Sequence, residues 1–135
     1  MVGIAMIMSH TKMTGVLATG ISNIVNKDFY PVAAPFIGAL GAFITGSNSN
    51  SNVLFSGLQM ETAELLGISV PIILAAQTAG AAMGSMMAPA KVILGCATVG
   101  LGSEEGQVIG KILTYGLFLV FVVGISAFFL TKVWS

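Results

Sequence analysis

From Phe29 to Met60 the chain carries no Lys, Arg, Asp or Glu, and midway through it reads Gly46-Ser47-Asn48-Ser49-Asn50-Ser51-Asn52. An uncharged stretch of this length belongs inside hydrocarbon or packed protein, whereas amides and hydroxyls left without partners there are costly. The stretch is also too long for one membrane crossing. The polar tract is therefore either a soluble loop between two ordinary helices or an irregular turn enclosed by protein.

The remainder of the chain points to lipid as the solvent. Of 135 residues 56% are hydrophobic and 7% are charged, where a soluble domain carries about a quarter charged residues. Five basic and five acidic side chains cannot coat a globule of this size. The 17 glycines suit helices packed closely in a bilayer, where small residues let backbones approach. Period-two alternation, the mark of a membrane β-barrel, is absent. An all-α membrane protein is expected. With a net charge of zero and no Arg, nothing forms the basic stripe that binds nucleic acid. Cys96 lies in an apolar run beside Gly95 and reads as a small hydrophobe. No base is placed beside a nucleophile, so neither an enzyme nor a cofactor or metal site is expected. Val2 to Met8 lacks a preceding basic region and reads as the tail of a helix, not as a secretory signal.

Four segments follow. Residues 1–28 read as a truncated helix plus an interfacial segment, interrupted by His10 and Lys12, with Lys27 to Tyr30 as a boundary. In residues 29–66, Pro31 and Pro35 open a helix running to about Thr45, roughly 22 Å and short for a crossing. Val53 to about Leu66 is again short, and its first charges are Glu61 and Glu64. This pair predicts a re-entrant helical hairpin with its tip at 46–52. Residues 67–102 form a discontinuous transmembrane helix, broken around Gly84-Ser85 and Ala88-Pro89-Ala90-Lys91, because Pro89 removes a backbone donor and crowds the preceding turn. Ala76, Gly80, Gly84 and Ala88 recur every fourth residue and offer one flat face for close packing. In residues 103–135, the uncharged run Ile112 to Leu130 spans about 28 Å and crosses the bilayer. Ser103 is its expected N-cap, and Tyr115 and Trp134 suit the interfacial aromatic belt. The lysines do not segregate, so they give no orientation.

Irregular backbone at membrane depth is tolerated only inside protein or beside a watery cavity, so two breaks in one short chain suggest a pathway. At the tract, hydroxyls and amides offer donors and acceptors without charge, and the following helix start presents free N–H groups. That suits a small carboxylate, while carbonyl, Asn and Ser oxygens equally suit a cation. Lys91 reads either as a partner for a carboxylate or as a boundary lysine reaching the interface. Gln77 and Thr78 read as interhelical hydrogen-bonding groups or as solute contacts. Glu61 and Glu64 are candidates to carry a coupling proton if buried, and otherwise solvated acids at the hairpin base.

The strings MSHTKMTGVLA, GAFITGSNSNSNVLFSGLQ and AAQTAGAAMGSMMAPAKVILGCATVGL, in that order, closely resemble the C-terminal region of bacterial L-lactate permeases. The resemblance covers nearly the whole chain and implies a C-terminal fragment of a multi-pass permease of the bacterial plasma (inner) membrane, several times longer. It implies import of L-lactate, and often glycolate, with protons. It also implies one partial inverted-repeat half, with a Ser-Asn-Thr-type hairpin tip beside a broken helix. Ser47-Asn48-Ser49 would occupy that tip, with Ser49 where Thr is usual. Other members carry Gln in place of Lys91, which argues against an obligatory charge there. The substrate-binding set expected on this basis is Ser47, Asn48, Ser49, Asn50, Asn52, Gln77, Thr78, Ser85 and Lys91. Expected partners are L-lactate with protons, the lipid bilayer and the rest of the permease. Two other readings stand beside this one. The first is sodium-coupled carboxylate uptake. The second is a structural module whose GxxxG pairs, Gly80 with Gly84 and Gly106 with Gly110, mediate helix association.

Overall fold

The computed structural model describes residues 2–134, and these form seven α-helices with no strand. Two short helices, α1 (Val2–His10) and α2 (Met13–Ile24), occupy the expected truncated-helix region. They part at Thr11-Lys12, where Lys12 takes φ 58, a left-handed conformation uncommon for residues other than glycine. Then follow α3 (Tyr30–Thr45), α4 (Asn48–Leu66), α5 (Val70–Met87), α6 (Pro89–Thr98) and α7 (Glu105–Val133). Two of these, α5 and α7, are long and apolar enough to cross a membrane.

Local chemistry sets most of the boundaries. Pro31 sits in the first turn of α3, where its missing N–H is no loss. Gly46 and Gly67 end α3 and α4 in the left-handed conformation, at φ 69 and φ 65, which glycine adopts without penalty. Ala88 alone separates α5 from α6, and Pro89 opens α6. The break falls at the proline, as its steric demand requires, and not at Gly84-Ser85, which remain within α5.

Two expectations need correction. The tract 46–52 is not an irregular tip, because only Gly46 and Ser47 lie outside helix and Asn48 to Asn52 form the first turns of α4. The second limb is therefore about 28 Å long, not short. Ser47 accepts a capping bond, and Asn and Ser are tolerated within the first turn, so the polar run starts the helix instead of delaying it. At the other end of the chain, Ser103 does not cap α7. The capping position belongs to Glu104, which makes no side-chain bond.

Packing centres on α3. It runs antiparallel to α4, since Tyr30 meets Gln59 at one end of the pair and Gly38 meets Ser51 nearer the other. It runs parallel to α5, with Pro35 opposite Gly80 and Ala39 opposite Gly84. The flat face of α5 is thus used internally: Ala76, Gly80, Gly84 and Ala88 are all buried. A Cβ at Gly80 or Gly84 would collide with the carbonyl of Pro35 or Ala39, and one at Gly38 with the carbonyl of Gln77. Backbone therefore lies against backbone, the arrangement that gains most from dispersion where lipid supplies no hydrophobic drive. Against both α3 and α5 lies α7, antiparallel to α3, with Gly124 against Val32, Val120 near Ala39, and Gly116 against Met87 of α5. Much of α7, including Phe118, Phe121 and Phe129, faces outward, as a lipid-exposed helix would.

Replacing Gly80 by Ala must separate α3 from α5, and overpacking of this kind costs about 1–3 kcal/mol. In detergent, Gly80→Ala should lower the thermal midpoint by several degrees, whereas Gly110→Ala, with nothing within 4 Å, should not. Equal midpoints would contradict the close α3/α5 contact.

Candidate functional site

The end of α3, the start of α4 and the junction of α5 with α6 meet at one place. Thr45 Oγ1 donates to the Gly41 carbonyl at 2.8 Å and closes the last turn of α3. Gly46 turns the chain. Ser47 Oγ then accepts from the Asn50 amide at 3.3 Å, satisfying one of the unpaired donors of a helix start. Across from this turn, Ser85 Oγ donates to the Gly46 carbonyl at 3.2 Å. Lys91, one turn into α6, reaches back so that its Nζ donates to Ser85 Oγ. A cation, a hydroxyl and a turn carbonyl are thus strung between the two breaks.

Each break joins a helix C-terminus to a helix N-terminus: α3 to α4, and α5 to α6. Both signs of helix-end partial charge are therefore present within one small region. Anion binding is favoured at the α4 start and cation binding at the α3 and α5 ends.

The tract's side chains differ in their surroundings. Ser49 is exposed, while Ser47, Asn48, Asn50 and Asn52 are half-buried. Asn52 Nδ2 donates to Asn48 Oδ1 at 3.1 Å. Asn52 Oδ1 is buried and has no hydrogen-bond partner among the described residues. An acceptor in that condition costs about 1–3 kcal/mol.

Of the other predicted residues, Ser85 joins the tip directly and Lys91 joins it through Ser85. Gln77 joins it through Ser51, to whose Oγ its Nε2 donates at 3.3 Å. Thr78 does not, since it points to the exposed face of α5. Glu61 and Glu64 are also elsewhere: Glu61 lies 14 positions beyond Ser47, about 21 Å along α4. Glu61 is half-buried, and a Cβ on Gly15 of α2 would stand 3.3 Å from its Oε2. Glu64 is exposed.

Tyr30, which the sequence suggests as an aromatic anchor of a boundary loop, instead opens α3 and is wholly buried, as are Ser51 of the polar tract and Gln59, which lies outside the expected site. Tyr30 Oη donates to Gln59 Oε1 at 2.6 Å. Gln59 Nε2 donates both to Gln77 Oε1 at 2.9 Å and to the Ala34 carbonyl at 3.1 Å. Ser51 Oγ donates to the Gly38 carbonyl at 2.8 Å. The result is a continuous buried chain, Tyr30 to Gln59 to Gln77 to Ser51, that ties together α3, α4 and α5. The signal was present: Gln59 is an amide in an uncharged run, as conspicuous as Gln77.

A family model described as L-lactate permease matches residues 1–134. The chain is 32% identical to the L-lactate permease of Bacillus subtilis over 134 residues, covering 99% of this chain and 23% of that relative. Against the L-lactate permease of Escherichia coli it is 31% identical over 121 residues, 90% of this chain and 22% of the relative. Against the glycolate permease of Escherichia coli it is 35% identical over 96 residues, 71% of this chain and 17% of the relative. The chain therefore spans less than a quarter of the length of these curated relatives. No solved structure matches it. The relatives are permeases, in line with the transport reading and against an enzymatic one. From its first residue to its last but one, this chain belongs to the L-lactate permease family.

Proposed function

We propose that this chain forms part of the solute site of a permease that carries L-lactate, and by the same chemistry glycolate, across the bacterial plasma membrane in symport with protons. The observation that carries the reading is the meeting of two helix breaks at Gly46, Ser85 and Lys91. In this reading α3 and α4 form a re-entrant hairpin within one partial inverted-repeat half, and α5 with α6 forms the discontinuous helix beside it. The site is completed by the remainder of the permease, since irregular backbone at membrane depth needs enclosing protein or water.

The chemistry of the site fits a small 2-hydroxy monocarboxylate. The carboxylate takes the α4 start, where Ser47, Asn48, Ser49 and Asn50 supply amides and side-chain donors. Lys91 supplies a positive charge by leaving Ser85. The substrate hydroxyl donates to Asn52 Oδ1, the buried acceptor that otherwise lacks a partner. Gln77 contributes through Ser51, and Thr78 has no direct contact in this arrangement. The relatives' names, L-lactate permease and glycolate permease, agree with a 2-hydroxy acid.

Proton coupling is assigned to an acid away from the tip. Of the two candidates Glu61 is preferred to Glu64, because it is half-buried against the Gly15 face of α2 while Glu64 is exposed.

Two experiments on the full-length permease test these assignments. Loss of one hydrogen bond to a charged group costs about 1.5–3 kcal/mol. Ser47→Ala and Asn48→Ala should therefore reduce uptake of labelled L-lactate at low concentration by about tenfold or more, at matched protein amount. Unchanged uptake would sink the site assignment. Separately, uptake should rise as external pH falls and be indifferent to replacing sodium by potassium, and Glu61→Gln should flatten the pH dependence. Uptake that follows sodium instead would establish the rival coupling.

A further inference from the structure

Resting on the placement of substrate at the hairpin tip, we infer that Tyr30, Gln59 and Gln77 are positioning residues that set the geometry of that tip from a distance. None of the three need touch substrate to do so. Tyr30 opens α3 and Gly46 ends it, so their backbones stand about 24 Å apart by helix length, and the Tyr30 hydroxyl meets Gln59, about 18 Å along α4 from Ser47.

Three observations support this. First, the α3/α5 contact is already secured by Gly38, Gly80 and Gly84, and hydrogen bonds between membrane helices are individually modest. Holding the helices together does not require four buried polar side chains. Second, the chain of bonds is directional and satisfied: Tyr30 donates to Gln59, Gln59 to Gln77, Gln77 to Ser51, and Ser51 to the Gly38 carbonyl. Each link fixes the rotamer of the next, because any alternative leaves a buried polar atom unpaired. Third, the chain ends at Ser51, inside the polar tract and one helical turn from Ser47. Ser51 Oγ also sits where a side chain on Gly41 would be. The rotation of the α4 start, and hence the direction of Asn48, Asn50 and Asn52, is registered against α3 and α5 through this hydroxyl.

Apolar packing alone would permit α4 to turn or slide against α3, since ridges of similar side chains fit in more than one register. The buried chain selects one. Its function is specificity of arrangement rather than strength, as with a lone polar residue that fixes register in a coiled coil.

Tyr30→Phe is the sharpest probe, because it removes one oxygen far from the substrate and keeps the ring. In the full-length permease carrying Ser49→Cys, with membranes treated with a water-soluble maleimide, Tyr30→Phe should change the labelling rate at the tip by threefold or more. In the permease without that cysteine it should raise the KM for labelled L-lactate by threefold or more, with the maximal rate per molecule altered less. Ser51→Ala, which cuts the chain at its other end, should act in the same direction on both readouts. KM does not depend on how much protein reaches the membrane, so a poorly accumulating variant still reports. Unchanged labelling and unchanged KM in both variants would overturn the inference. Altered labelling with unchanged KM would support the positioning role and overturn instead the placement of substrate at the tip.

Discussion

The contact on which this fold depends is backbone against backbone: Pro35 and Ala39 of α3 lie on Gly80 and Gly84 of α5 with no side chain between them. In lipid, helices gain little by hiding apolar surface from one another, so attraction comes from close approach and shape. Once α3 and α5 are fixed at that distance, the other contacts have only narrow freedom. The end of α5 is carried to the level of Gly46, which brings Ser85 within reach of the turn. Along the seam between α3 and α5, α7 settles on both helices, using glycines of its own at 116 and 124 against Met87 of α5 and Val32 of α3.

How much of this was legible in the sequence depends on the kind of signal. Proline acts locally, so of the interruption expected between Gly84 and Lys91 the part at Pro89 is realised, while Gly84 and Ser85, whose helix-weakening effect is slight, stay within α5. The four-residue recurrence of Ala76, Gly80, Gly84 and Ala88 identified a packing face, and the structure shows α3 to be its partner. The polar tract was harder. Asn and Ser are common both in loops and at helix starts, and only the capping bond to Ser47 distinguishes the two. The tract therefore belongs largely to α4. Ser103 misled for the same reason in reverse: a good capping residue preceded acids, but the helix began later.

The candidate site was legible as two breaks and as the residue types within them, since polar groups in an uncharged run have few explanations. What could not be read was which of those groups meet. Thr78 and Gln77 are neighbours in sequence, yet helical rotation of about 100° per residue sends one outward and the other into the interior. Glu61 and Glu64 share a helix with the tip but lie far down it. Gln59 is marked in the sequence as an amide in an uncharged run, but its role is tertiary: it needs Tyr30 on one side and Gln77 on the other to become a link.

The Gly116 contact with Met87 has one more consequence. It fixes the break at Ala88 relative to α7, whose apolar run extends from Ile112 to Leu130. Gly116 stands about 6 Å inside the Ile112 end of that run and about 21 Å from the Leu130 end, at 1.5 Å per residue. If that run marks the hydrocarbon, the junction of hairpin and broken helix is off-centre. One barrier to the site is then about a single helical turn thick, and the other nearly four. On that placement Lys91 and Ser85 lie toward the thin side of the proposed site, and the packed length of α3 and α5 lies toward the thick one.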